Sequence, residues 1–371
     1  MERFRVTYRI TGNEEEAYAR AEDICLEQTV EFPLELVPAG LIRDHLVGKI
    51  AAFSPDGPGF YQAVIEYAAS AAAGELTQLF NVIFGNISIK PGIRVQAVHL
   101  SESLLDGFKG PRFGREGLRR LVEVPRRPLL FSALKPMGLS SRQLADLAYL
   151  FALSGIDIIK DDHGLTNQVY APFEERISLC AEAVDRANRE TGQHSVYVAN
   201  VTAPHDKIIS RARFAKEHGS GGLLLAPGLA GFDAMRRVAE DDSIALPIFS
   251  HPAFLGSYVL DPASGISHYA LFGQLTRLAG GDGTIYPNFG GRFSFSREEC
   301  QSIVQGAAVP MGHLKPIFPC PGGGMSMENI PEMIEVYGRE VVFLMGGGLF
   351  KHGPDLVENC RYFRSLVEGL A

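Results

Sequence analysis

The feature that most limits the fold is a strict alternation of strand-like and helix-like stretches that starts at Leu129. LLFSALKP precedes the helical SSRQLADLAYLFALSG, IDIIKDD precedes EERISLCAEAVDRANRETG, and HSVYVANVT precedes DKIISRARFAKEHG. GGLLLAP, LPIFSHPAF, DGTIYPNFG, KPIFPCPGGG and VVFLMGGG each lead into a further segment of helical period. Eight β-then-α units in roughly 240 residues have the count and length of a (β/α)8 barrel. A doubly wound open sheet is the alternative, but no Gly-rich fingerprint follows the first strand.

The preceding residues follow another rhythm. Phe4 to Ile10 alternates apolar and polar as a half-buried strand does, and EEEAYARAEDICLEQT then takes helical character, with acids in its first turn. Strand-like stretches at 49–55, 62–70 and 92–100 surround a helix over 74–85. The order β-α-β-β-α-β suggests a small ferredoxin-like α+β layer. PRFGREGLRRLVEVPRRP (111–128), rich in Arg, Gly and Pro, reads as the connection. The expected division is an N-terminal α+β domain at 1–125 and an α/β TIM barrel at 126–371.

A net charge of −8 gives no general basic footprint for nucleic acid or an anionic membrane surface. Five scattered cysteines without a C-x-x-C pair read as reduced core thiols. No apolar run reaches the roughly 18 residues of a spanning helix, and the first residues lack a signal-peptide core. A cytoplasmic chain is expected.

A barrel gathers its chemistry just beyond the strand C-termini. Lys135 follows the first strand, Lys160, Asp162 and His163 the second, Asn200 ends the third, and His251 follows the fifth. Glycine runs, PGGGM (321–325) and MGGGLFKHG (345–353), follow the last two. In GIDIIKDDHG (155–164) a period of two puts Lys160 and Asp162 on one face and Asp161 on the other, where it reads as structural. Lys160 and Asp162 are either an ion pair closing a loop or part of a metal site. The glycine runs are either tight turns or a backbone cradle for a substrate phosphate around Gly323, Gly324, Gly347 and Gly348. His251 between an apolar strand and a proline is either a structural or a catalytic histidine.

With LEQT (26–29), GNISIKPGIRV (85–95), LKPMGLS, GIDIIKDDHG, IFSHPAFLGSY and both glycine runs together, the chain resembles the RuBisCO superfamily, and within it the RuBisCO-like proteins that do not fix carbon. The resemblance implies that Lys160 takes up carbon dioxide as a carbamate and, with Asp162 and His163, holds Mg²⁺, a hard ion that prefers oxygen. The family's third ligand is usually Glu, so His163 opens the site to Mn²⁺ or another transition metal, unless it does not ligate. The carboxylase's mobile-loop lysine is missing from GTIYPNFGGRF (283–293), where Asn288 stands near its position. Pro252 stands where an Arg would hold a second phosphate, and a further histidine is missing near Gly281. A monophosphate therefore replaces a bisphosphate as the expected substrate, and carbon fixation is not expected.

The methionine-salvage enolase branch uses an N-terminal-domain lysine as base, and Asn86 stands there instead. The remaining expectation is metal-assisted enolisation of a phosphorylated ketose such as 5-methylthioribulose 1-phosphate, with Lys135, the Lys160 carbamate and His251 moving or holding protons. Decarboxylation of a phosphorylated 3-oxo sugar acid, the 2,3-diketo-5-methylthiopentyl-1-phosphate enolase reaction, and a non-catalytic regulatory protein are the alternatives. The resemblance also implies a homodimer in which Glu27 and Asn86 serve the partner's barrel mouth.

Overall fold

The computed structural model describes residues 2–370. Strands β1 (Arg3–Thr11), β2 (Lys49–Pro55), β3 (Phe60–Ala68) and β4 (Ile93–His99) pair antiparallel in the order β4-β1-β3-β2. This is the expected ferredoxin-like layer. Helix α1 (Glu14–Glu27) starts on a capping box between Asn13 and Glu16, and its first-turn acids suit the positive end of the helix dipole. Helix α2 (Leu76–Phe84) buries Leu76, Leu79, Val82 and Ile83 at i, i+3, i+6 and i+7. Its Phe80 ring meets Phe232 on an outer helix of the barrel, edge to face at 5.4 Å.

The barrel strands are β5 (Leu129–Leu134), β6 (Ile158–Asp161), β7 (Val196–Asn200), β8 (Gly222–Leu225) and β9 (Ile248–Ser250). A two-residue strand, β10 (Gly265–Ile266), leaves the barrel and pairs parallel with β4, becoming the fifth strand of the N-terminal sheet. Strands β11 (Gly283–Pro287), β12 (Phe318–Gly322) and β13 (Val342–Leu344) complete a closed parallel barrel of eight strands. Its interior is packed by Leu129, Phe131, Ile158, Val198, Leu224, Phe249, Ile285, Phe318 and Val342. Alternate residues face the surrounding helices, so a strand end offers one side chain to the mouth and the next to the outer layer.

The stretch read as a connection departs from that expectation. Residues Gly114–Leu121 form helix α3, whose Leu118 packs into the barrel's interior core although it precedes residue 125. The side chain of Asp282 accepts from the backbone N–H groups of Phe113 and Gly114 at 2.7 Å each and fixes the helix start. Arg119, buried, donates to the carbonyls of Val124, Arg127 and Arg339 and to Glu340. These bonds are what allow Arg119 to be buried on the inner face of the helix, while Arg120 and Glu116 stay exposed.

Candidate active site

Strand β6 ends on Lys160 and Asp161, which leave it on opposite sides. Outward, Asp161 is fully buried and accepts from Arg176 Nε (3.2 Å to each oxygen), the Tyr197 hydroxyl (2.7 Å) and the Asn200 backbone N–H (3.0 Å). Arg176 also donates to the carbonyls of Ala171 and Thr166. The structural role expected of Asp161 is the one found, and its partners went unrecognised in the sequence because they lie on later elements.

Inward, Lys160 is 2% exposed and its Nζ donates to the Asp161 carbonyl at 3.1 Å. The Asp162 carboxylate gathers the rest of the group. Its Oδ1 lies 3.0 Å from Lys135 Nζ, 3.4 Å from His163 Nδ1 and 3.9 Å from Lys160 Nζ. The His251 ring stacks on that of His163, centroids 4.5 Å apart and 11° from parallel. Lys135, Lys160, Asp162, His163 and His251 are thus brought into one group at the barrel mouth. Asn200 is a brace for it: its side-chain amide donates to the carbonyls of His163 and Leu165, each at 2.9 Å, and holds the loop after β6.

The electrostatics follow from burial in a small volume. Burial pushes the Lys160 amine down to about 8, against the attraction of Asp162. Burial works against ionisation of Asp162 too, but the His163 bond and the charges of Lys160 and Lys135 hold its carboxyl well below the usual range. Burial, with repulsion from Lys160 and His163, holds His251 far below an ordinary histidine. Its Nδ1 accepts from the Ala253 backbone N–H at 3.2 Å, so in the neutral ring Nε2 carries the proton.

The glycine loops adjoin this group. A Cβ on Gly346 would come within 3.8 Å of Lys135 Cε. A Cβ on Gly348 would strike the Met325 carbonyl at 2.5 Å, so the two runs touch each other, whereas one on Gly347 would meet nothing within 4 Å. Gly323 and Gly324 have φ values of +71° and +147°, and Gly324 packs on Gly291, which leaves no room for a side chain. The loop after β11 carries no lysine, and its Asn288 is buried, accepting from the Tyr337 hydroxyl at 2.6 Å.

Glu27 and Asn86 meet each other in the N-terminal domain, Asn86 Nδ2 donating to Glu27 Oε1 at 3.1 Å. No hydrogen bond or ion pair among the described residues joins them to the Lys160 group of the same chain. Two neighbours of that pair, Glu31 and Lys90, were not anticipated. No cluster of three or more His, Cys, Asp or Glu able to hold a metal occurs among the described residues. Asp162 and His163 supply two donors of that kind, and a third hard donor arises only if Lys160 becomes a carbamate. Its depressed amine suits that conversion, because only the neutral amine is nucleophilic. The donor set therefore fits a divalent ion together with a carbamate.

Residues 115–361 match the family model for the ribulose bisphosphate carboxylase large chain, catalytic domain. The chain belongs to the RuBisCO large-chain family, as a form IV RuBisCO-like protein. It is 38% identical, over 100% of its length and 97% of the relative's, to 5-methylthioribulose-1-phosphate isomerase of Rhodospirillum rubrum. It is 31% identical to 2,3-diketo-5-methylthiopentyl-1-phosphate enolase of Bacillus pumilus, over 100% of this chain and 93% of the other. Among solved structures, a RuBisCO-like protein from Rhodopseudomonas palustris superposes with a TM-score of 0.89 at 35% identity, covering 99% of this chain and 98% of that one. Among the described residues of this RuBisCO-like chain, no helix is long and apolar enough to cross a membrane.

Proposed function

We propose that this RuBisCO-like protein enolises a phosphorylated ketose and returns the proton elsewhere, as an isomerase of a sugar monophosphate such as 5-methylthioribulose 1-phosphate. The observation that carries the reading is the convergence of Lys135, Lys160, Asp162 and His251 at the barrel mouth beside two glycine loops. Asp162, His163 and a carbamate on Lys160 would hold Mg²⁺ or Mn²⁺, which when bound polarises a carbonyl and the adjacent hydroxyl. The backbone around Gly323, Gly324, Gly347 and Gly348 receives the phosphate and sets the sugar's direction across the mouth. Lys135, held by Asp162, or the carbamate on Lys160 would move the α-proton to the neighbouring carbon; Lys135 does so only as the neutral amine, after giving up the proton it shares with Asp162. His251, neutral with its proton on Nε2, donates a hydrogen bond to a substrate hydroxyl instead of acting as a base. Pro252 in the next position offers no charge for a second phosphate, in keeping with a monoester and against carbon fixation.

Glu27 and Asn86 act, in this reading, at the mouth of a second copy. The apolar groups exposed on the N-terminal domain, among them Leu36, Leu41 and Ile89 (87% exposed), and those on the mouth loops, Met137, Val169 and Phe254, support such a covered arrangement. Likeness to the Bacillus enzyme supports enolase chemistry as the second reading. Decarboxylation of a phosphorylated 3-oxo acid passes through the same enolate.

The test is incubation with bicarbonate, Mg²⁺ and 5-methylthioribulose 1-phosphate in deuterated water. Deuterium entry with an isomeric product is expected. Absence of both sinks the isomerase reading, and turnover of the diketo phosphate alone establishes the enolase one.

A further inference from the structure

A charged cluster in the N-terminal domain is built more elaborately than stability requires. Lys90 Nζ lies 2.7 Å from Asp23 Oδ2 and 3.1 Å from Glu27 Oε2. The other Glu27 oxygen, Oε1, takes the side-chain amide of Asn86 at 3.1 Å. Glu27 therefore has a different donor on each oxygen and cannot rotate its carboxylate without breaking one bond. The second proton of the Asn86 amide goes to Glu31 Oε1, also at 3.1 Å. With two carboxylates before it, the amide can present only its NH₂ to them, and the Asn86 carbonyl oxygen is left as the acceptor for a ligand. Glu31 reaches this position from a φ of +48°, a backbone conformation that non-glycine residues adopt at a cost and that gathers at functional sites.

As a stability device the arrangement makes little sense. Lys90 is 36% exposed, and exposed ion pairs contribute little to folding. The bonds from Asn86 and then Lys90 hold the Glu27 carboxyl below its usual range, so the pair is kept ionised as well as oriented.

We propose that Lys90 is a positioning residue of the active site, fixing Glu27 and, through it, the carbonyl of Asn86 for use at the barrel mouth of a second copy of this chain. This rests on the proposed placement of Glu27 and Asn86 in trans. Lys90 does not touch the reacting atoms. It removes the rotational freedom of a carboxylate and an amide that have to meet the substrate in one geometry, where a displacement of about 1 Å costs on the order of 100-fold in rate.

The experiment uses the full-length protein and compares Lys90→Met, Lys90→Arg and Glu27→Gln. Lys90→Met is expected to keep the wild-type unfolding midpoint and sedimentation coefficient, and to lower kcat by about 10- to 100-fold with KM within about twofold. The acid limb of its kcat profile moves to higher pH as Glu27 loses its cation, and Lys90→Arg restores most of the turnover. Mixed dimers of Lys90→Met with Lys160→Ala regain about a quarter of wild-type activity, because half the dimers are hybrids with one intact site of two. Normal turnover in Lys90→Met beside a crippled Glu27→Gln overturns the role of Lys90. Normal turnover in Glu27→Gln overturns the placement in trans and this inference with it, and no regain on mixing assigns Lys90 to its own barrel. A crystal structure of Lys90→Met reads the same point without substrate: an unmoved Glu27 carboxylate refutes the positioning role.

Discussion

Asp161→Ala tests whether the outward face of β6 is what keeps the inward face in place. The substitution deletes a carboxylate that bonds Arg176, Tyr197 and the Asn200 backbone, none of which has access to water. Arg176 stays where it is, because its other nitrogens remain bonded to the Ala171 and Thr166 carbonyls at 2.8 and 2.9 Å. The result is a buried guanidinium without a counter-charge. Removing one partner of a buried pair costs about 3–5 kcal/mol, and the orphaned Tyr197 hydroxyl adds about 1 kcal/mol or more. A loss of about 4–6 kcal/mol would take much of the total stability of a typical domain, about 5–15 kcal/mol. Urea denaturation reads it as a lowered midpoint at constant slope. The double variant Asp161→Leu with Arg176→Met removes both charges together and should cost much less than the two single changes added. A loss below about 1 kcal/mol in Asp161→Ala, or strict additivity in the cycle, would refute the account of the pair.

Other expectations concern the mouth itself. Carbamate forms from the neutral amine and dissolved carbon dioxide, so with Lys160 held near 8, activation at a fixed concentration of dissolved carbon dioxide should quicken as pH rises from about 7 and level off above about 8.5; a rate still climbing at pH 10 under that condition would indicate an ordinary lysine. Gly347→Ala projects a methyl group into open space, so it should leave the unfolding midpoint unchanged and raise KM for the phosphate ester by about tenfold. Unaltered KM would place the phosphate elsewhere. His163→Glu replaces an imidazole by a harder donor, and metal analysis should find Mg²⁺ gaining over Mn²⁺ and zinc. The same metal ratio as wild type would show that His163 is no ligand.

The barrel was legible because each unit announces itself by an apolar run and a change of period, and the grouping of the candidate site because Lys135, His251 and the glycines follow strand ends, whereas Lys160, expected just beyond the second strand, is the last residue but one of β6. The two faces of β6 could also be told apart, since the period of two alone separates Asp161 from Asp162. What escaped has physical reasons. Strand β10 has only two residues and becomes a strand only by lying beside β4. Helix α3 carries three arginines, the pattern of a solvated link, and the burial of Arg119 on its inner face depends on carbonyls just beyond the helix and on the distant Arg339 carbonyl. The roles of Glu31 and Lys90 depend on a left-handed turn and on a contact across more than sixty residues of sequence, neither of which leaves a local pattern.

The parallel pairing of β10 with β4 bears on how a substrate could enter. The pairing is reinforced where Ser267 bonds Val95 and Gln96 and where the Gln274 amide brackets Val98 from both sides. An N-terminal domain stitched this firmly to its own barrel cannot swing on a hinge. In the proposed dimer, admission to a mouth that such a domain covers would require either the loops to part or one whole subunit to shift against the other. A cross-link across Arg94 and Gly265 should leave the rate of substrate entry untouched.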